Sequence, residues 1–343
     1  MKNIPVLFCV LIFGSTGLLA QDLRLSGTFN TGVMVTIPET GETDVRLETD
    51  DGFGPVSARL RLYGTLEKPY WGIQFRLQTD LTTEWQYGFR PEEQFAFVWA
   101  NFFQDRMRIY AGKLAWGLWY TPFEESWSLD AQTGIRFEFK PIHGLSFGST
   151  LKIPPRDMPD LGKFTVKRMF NEAVVGARYA ARLFTVVGAF AFDGWDNYRN
   201  DEQVAIFGFE YRGIPNLWIG FESRYQNITS GEMEYNLVER FGFPINSLTY
   251  GFLRIYQDGK MGTEGIDFRI NPEANTRITG RLLIAAEAEF AFNTADAGNT
   301  WWVGIKPKFL LRLREGCNLT GHYYGRFNNG GYSAFNIGFE FFY

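Results

Sequence analysis

The chain has 343 residues, enough for one large domain or two ordinary ones, and 17% of them are aromatic, including 34 Phe. Lys and Arg number 34 against 38 Asp and Glu, a formal net charge of −4, which excludes a dominant nucleic-acid footprint, so no nucleic acid is an expected partner. Of the two Cys, Cys9 lies in an N-terminal leader and Cys317 stands alone, so neither an intrachain disulfide nor a Cys-based metal site is expected, and no motif calls for a cofactor.

Residues 1–20 carry Lys2, an apolar run from Ile4 to Phe13, then small residues up to Ala20. That is the layout of a secretory signal peptide, with cleavage expected after Ala20 and a mature domain over 21–343. No later apolar run is long enough to cross a bilayer as a helix. From Leu23 to Ile37 the odd positions Leu23, Leu25, Phe29, Val33, Val35 and Ile37 are apolar, whereas Arg24, Ser26, Thr28 and Asn30 between them are polar. A period of two predicts a strand with one apolar face, here about fifteen residues long and so longer than the usual globular strand.

A polar stretch, 38–56, follows with Glu39, Glu42, Asp44, Glu48, Asp50 and Asp51; its spacing matches no calcium loop and reads as a solvated surface loop. Alternation then resumes. Leu60, Leu62 and Leu66 oppose Arg59 and Arg61; Trp71, Ile73, Phe75 and Leu77 oppose Gln74, Arg76 and Gln78; Ile135, Phe137 and Phe139 oppose Arg136 and Glu138. Further along, Val303, Ile305, Phe309 and Leu311 oppose Lys306, Lys308 and Arg312, and Tyr323 and Phe327 oppose His322 and Arg326. Tight turns at 104–105, 141–144, 212–215 and 314–316 trade places with longer polar loops at 38–56, 154–171 and 193–201. The segments 232–242 and 248–257 are the weakest, because Glu239 and Arg254 break the pattern; a helix or loop over 229–247 would reduce eighteen strands to sixteen.

The polar face carries Arg59, Arg61, Arg76, Arg108, Arg136, Arg178, Arg224, Arg281, Lys306, Lys308 and Arg326, with Glu138, Glu222, Glu287 and Glu289. So many charges are costly in a packed core and stay solvated only along a water-filled lumen. Trp71, Trp99, Trp116, Trp119, Trp195, Trp218 and Trp301 are expected at strand ends, where a ring suits the membrane–water boundary. The predicted fold is therefore all-β: a single transmembrane antiparallel up-and-down barrel of 16–18 strands, with short periplasmic turns and longer extracellular loops. The chain closes on Phe335, Ile337, Phe339, Phe341 and Tyr343 at alternate positions, an apolar face turned to lipid.

That ending resembles the insertion signal of bacterial outer-membrane proteins, and the whole mature chain resembles porins in pattern. The resemblance implies an outer-membrane location, partnership with lipids and with the barrel-assembly machinery through the last strand, and a homo-trimer as the assembly to consider. It also implies a water-filled channel for passive diffusion of ions and small hydrophilic solutes. In porins the loop after the fifth strand folds inward and its acids face basic wall residues. Here the fifth strand is expected to end at Gly112–Lys113, the loop at 115–131 supplies Glu124, Glu125 and Asp130, and Trp116, Trp119 and Phe123 would wedge it. The acidic-aromatic-Gly signature of that loop in general porins is absent. Basic residues exceed acidic ones at inward positions, which points to an anion preference. The alternatives are an outer-membrane transporter of hydrophobic substrates and a surface adhesin. An enzyme is not expected, because only His143 and His322 could serve as a base and neither sits in a catalytic arrangement.

Overall fold

The computed structural model describes residues 23–48, 58–81, 91–114, 133–153, 173–191, 203–228, 233–263, 265–295, 301–328 and 331–342. The signal peptide, the loop acids Glu124, Glu125 and Asp130, and Tyr343 lie outside the described residues. Alternation becomes strand throughout: β1 (Leu23–Pro38), β2 (Asp44–Leu47), β3 (Ala58–Glu67), β4 (Trp71–Leu81), β5 (Pro91–Phe102), β6 (Met107–Lys113) and β7 (Thr133–Ile142). Next come β8 (Leu145–Lys152), β9 (Val174–Ala180), β10 (Phe184–Ala191), β11 (Val204–Ile214), β12 (Leu217–Gln226) and β13 (Glu234–Pro244). The last six are β14 (Thr249–Lys260), β15 (Asp267–Arg277), β16 (Leu282–Asn293), β17 (Trp302–Arg314), β18 (Cys317–Phe327) and β19 (Tyr332–Phe342).

Every neighbour pairs antiparallel, and β19 returns to β1 with Val33 opposite Ile337 and Gly32 opposite Gly338, which closes the sheet. Closure removes the unpaired edge that a lipid environment cannot solvate. β2 and β3 both pair with the same side of β1, β2 at Val33–Thr36 and β3 at Leu23–Thr31, so they run end to end in one column. Nineteen strands thus make an eighteen-column cylinder. An unbroken strand would put residue 56 opposite Val33, where Leu47 stands, so nine extra residues enter the column between Leu47 and Ala58. The expected loop 38–56 therefore contains a piece of wall.

The fifth column is β6, ending at Lys113 as expected. The two weak segments are ordinary strands, β13 and β14, which fixes the number at eighteen. Arg254 breaks nothing, because it shares the inward parity of Arg240 opposite it, whereas Glu239 faces outward opposite Ile255. Turns of two to four residues join β3–β4, β5–β6, β7–β8 and each later odd–even pair up to β17–β18, and Leu23 and Phe342 lie at this same end. Asn216 and Gly144 hold φ of 60° and 80° in two of these turns, a region that Asn and Gly enter at low cost. The opposite end carries the longer connections, of four to twenty-one residues.

Apolar side chains with large exposure fall on one parity, as at Val98, Phe139, Phe207, Phe290, Ile305 and Ile337, the last 58% exposed. These positions form the outer wall, and β19 presents Phe335, Ile337, Phe339 and Phe341 on it. Charged groups fall on the other parity and are far less exposed: Arg59 1%, Arg136 4%, Glu222 0%. A soluble sandwich would invert this arrangement.

Candidate functional site

The lumen wall is built where inward residues of adjoining strands meet. On β3 and β4, Arg59 lies opposite Asp80 and Arg61 opposite Gln78. Arg59 Nε donates to Asp80 Oδ1 at 2.7 Å and its Nη2 to Oδ2 at 3.0 Å, a two-pronged pair. Arg61 Nε donates to Gln78 Oε1 at 2.9 Å, and Gln78 Nε2 in turn to Asp80 Oδ2 at 3.2 Å. A nearly buried Arg59 is tolerated because the Asp80 carboxylate, itself held by the Gln78 amide, pairs with it.

Next to them, arginines lie on rings. The Arg76 guanidinium stands 5.1 Å from the Phe95 ring centre and 5.8 Å from that of Tyr63. Arg108 lies 4.5 Å over Trp99 and donates to Asn101 Oδ1 at 2.5 Å; Arg136 lies 5.3 Å over Tyr110. The Tyr110 hydroxyl donates to Glu138 Oε2 at 3.1 Å, and Lys140 approaches the other oxygen of Glu138 at 3.0 Å. A ring holds a cation in place without cancelling its charge, each contact contributing about 0.5–2 kcal/mol. So Arg59, Arg61, Arg76, Arg108 and Arg136 come together on β3–β7 as a guanidinium ladder, met at described lumen positions by Asp80 and Glu138.

Lys306, Lys308 and Arg326 stand elsewhere, on β17 and β18. There carboxylates stand among the bases, and Arg326 lies 4.5 Å over the Trp302 ring. Arg254 approaches Glu273 at 3.0 Å and Glu287 at 3.9 Å, Lys308 approaches Glu273 at 3.8 Å, and Arg269 approaches Asp258 at 3.4 Å and Glu289 at 3.9 Å. β14 is nine columns from β5 in an eighteen-column cylinder, so this mixed wall faces the ladder across the lumen. His322, opposite Lys308 and Asn336, points inward on β18, while His143 sits in a short turn at the far end from the loops.

Three expectations are corrected. Trp99 and Trp218 are not boundary rings: both face the lumen, Trp99 under Arg108, Trp218 donating from Nε1 to Glu210 at 2.5 Å with Arg240 4.9 Å above its ring. Their parity matches that of Asn101 and Glu222, a signal that was available in the sequence. Arg281 is in the turn between β15 and β16, not on the wall. In the acidic stretch, Asp44 and Glu48 flank Arg46, with Glu48 at 2.6 Å from its Nε, and Glu39 Oε2 accepts from the Gly331 amide at 3.1 Å.

Sequence alternation also missed an apolar lumen patch. Val174, Val187, Ala189, Ala191, Val204 and Ile206 on β9, β10 and β11 all point inward at the loop end, with exposures from 0 to 6%. Facing water, such a patch would be open; here it is covered. Leu114, the first residue beyond β6, is 2% exposed.

No family model matches the sequence, and no curated protein matches it either. Among solved structures, 94% of the chain superposes on all of OccAB3 from Acinetobacter baumannii with a TM-score of 0.57 and 12% identity. The same share superposes on 99% of an anion-selective porin from Comamonas acidovorans (TM-score 0.54, 12% identity) and on all of a variant of Rh. blastica porin (TM-score 0.51, 14% identity). At such identities the likeness is one of architecture, and the architecture of this chain is that of a porin.

Proposed function

We propose that this chain is a bacterial outer-membrane porin: a water-filled channel through which ions and small hydrophilic solutes diffuse passively. The observation that carries the reading is the closed eighteen-column cylinder with charges along its inside and an apolar outside. Export by a signal peptide cleaved after Ala20, recognition of β19 by the barrel-assembly machinery, contact with outer-membrane lipids and assembly as a homo-trimer complete the reading. Nothing in it requires catalysis or a cofactor. Anions are the favoured solutes, because five arginines gather on β3–β7 beside Asp80 and Glu138, whereas the bases of β14–β18 stand among Asp258, Glu273, Glu287 and Glu289. Refolded protein in a planar bilayer should give stepwise ohmic currents with a zero-current potential on the anion side, blocked by no single sugar. Absence of steps across a panel of salts and sugars would overturn the channel.

The loop at 115–131 is the constriction in this reading, with Glu124, Glu125 and Asp130 set against Arg59, Arg61, Arg76, Arg108 and Arg136. The buried apolar patch supports it, since an inward-folded segment bearing Trp116, Trp119 and Phe123 is a suitable cover for Val187 and its neighbours. Glu124→Gln with Glu125→Gln should leave pore size alone and raise anion preference; identical conductance and selectivity would end the constriction idea. Val187→Asp should act differently. A carboxylate inside a covered apolar patch costs about 3 kcal/mol or more, enough to displace what lies on it while the wall's ladders hold. The expected result is a larger single-channel conductance, and native conductance with a native thermal midpoint would show the patch to be wet.

A further inference from the structure

At the turn end of the lumen, beyond the last arginine of the ladder, the wall over β6–β9 is hollowed into a cleft of about 550 Å³. The hollow has a local cause. Gly148 stands opposite both Glu138 and Gly176 on the inward parity, so two neighbouring strands carry no side chain there. The register also shifts between Phe139 and Ile142, so β7 and β8 close on an irregular turn. Polar groups edge the space: Arg106 from the β5–β6 turn, Lys140 from β7, Ser146 from β8 and Arg178 from β9. The backbone fixes their order. The Lys140 amide donates to the Arg106 carbonyl oxygen at 2.7 Å, and Ser146 lies opposite Arg178.

Lys140 is committed to Glu138 at 3.0 Å, and that carboxylate also accepts from the Tyr110 hydroxyl. The two guanidiniums are not so engaged. Among the described residues, neither Arg106 nor Arg178 makes a side-chain hydrogen bond or an ion pair, and neither lies over a ring as Arg76, Arg108 and Arg136 do. The columns β6 and β9 stand three strand spacings apart, about 14 Å, with the hollow between them. Asp105, next to Arg106 in the turn, also lines the cleft.

We propose that this cleft binds a sugar monophosphate: one phosphoryl group on a neutral, hydroxylated body. Guanidiniums entering from two sides match a phosphoryl group, whose three oxygens accept from both forks at once, whereas a carboxylate has two oxygens and fills one fork. Hydroxyls of the body fall to Ser146 and Asp105, and the Asp105 carboxylate turns away a second anionic group. A volume of this size suits a small organic solute and is far more than chloride needs. Phospholipid headgroups offer the same phosphoryl chemistry, but they lie beyond the outer wall, and Ser146 and Arg178 share the inward parity of Glu138. The site rests on the porin reading for the route by which its solute arrives, and it makes the passage of that solute saturable.

Binding is read first by calorimetry on the full mature chain refolded in detergent, which needs no open channel. It is read again as current block in a phosphatidylcholine bilayer, which carries no net charge. Glucose 6-phosphate should bind and should lower the single-channel current saturably, and glucose should do neither. Arg106→Ala with Arg178→Ala should raise the dissociation constant at least tenfold, and Arg178→Lys, which keeps the charge without the fork, severalfold. Arg182→Ala removes a base from the same end but not from the cleft, and should bind as the native chain does. A native chain that binds no glucose 6-phosphate would overturn the proposal. So would binding that survives the double substitution, or a loss equally large in Arg182→Ala, the sign of a general attraction to basic turns. Displacement by phosphatidylglycerol added to the micelle would give the cleft to a lipid and overturn it as well. Single-channel steps without binding sink the site and spare the channel; binding without steps does the reverse.

Discussion

Replacing Arg61, Arg76 and Arg108 together by Glu reverses the sign of the zero-current potential of the channel. Each reversal changes the wall by two elementary charges, so the three alter the lumen by about six, on one side of the cylinder, where the mixed wall of β14–β18 offers no compensating excess. Arg59 is left in place because its two-pronged pair with Asp80 holds β3 to β4, and losing it would confound folding with permeation. The anion-to-cation permeability ratio should fall on the order of tenfold in 0.1 M salt, where the screening length is about 10 Å, and much less in 1 M salt, where it is about 3 Å. The corresponding Lys replacements should retain the native sign, because each keeps its charge though it loses the flat contact with Phe95 or Trp99. A ratio that does not respond to the Glu triple would show that the ladder does not face the permeating ions.

Gly32→Val and Gly338→Val are expected to weaken the closing seam more than any other single substitution in β1 or β19. The two glycines stand opposite each other on the inward parity. A Cβ on Gly32 would come within 2.8 Å of the Glu48 carbonyl oxygen and 3.1 Å of that of Ile337; one on Gly338 would meet the Thr31 carbonyl oxygen at 2.7 Å. Every one of these neighbours is backbone, which cannot swing aside. Glu48 is held there by its own amide, donating to Gly32 O at 3.0 Å, and by Asn336 Nδ2, which donates to Glu48 O at 2.9 Å. Overpacking of this kind costs about 1–3 kcal/mol, and valine adds two methyls to the clash. The compact band that a closed barrel shows on a cold detergent gel should give way to the unfolded band at a lower temperature for both variants. Gly280→Ala, where an added Cβ meets nothing within 4 Å, should melt like the native chain. Seam variants as stable as this control would mean that β1 and β19 do not meet as described.

The wall was legible wherever inner and outer chemistry differ. Ile135, Phe137 and Phe139 against Arg136 and Glu138 leave only one arrangement of β7, and the same holds for β17 and β19. Legibility failed where the inner side is apolar too. In β10, "FTVVGAFA", outward Val186 and Phe190 alternate with inward Val187, Ala189 and Ala191, and no polarity difference separates them. Glu239 misled in the opposite direction: an outward carboxylate looks like a break in the strand when it is a feature of the wall's exterior. Aromatic rings are ambiguous for a physical reason. A ring can rest at a membrane boundary or under a guanidinium, and only the parity of Trp99 relative to Arg108 and Asn101 tells which. The partners across strands could not be read at all, because pairings such as Arg59 with Asp80 depend on register, which turn lengths and bulges set.

The column shared by β2 and β3 carries a consequence for how such a chain can diverge. Elsewhere in the wall, adding or deleting one residue exchanges inside and outside for the remainder of that strand. Glu48 is fastened at Gly32 and Ala58 lies opposite Thr31, so the interval between them begins and ends at neighbouring rungs of the ladder. Descendants of this gene can therefore lengthen or shorten that interval, by odd steps as readily as even, while every downstream side chain keeps its side of the wall. Among relatives it is the place within a strand column where insertions and deletions should accumulate.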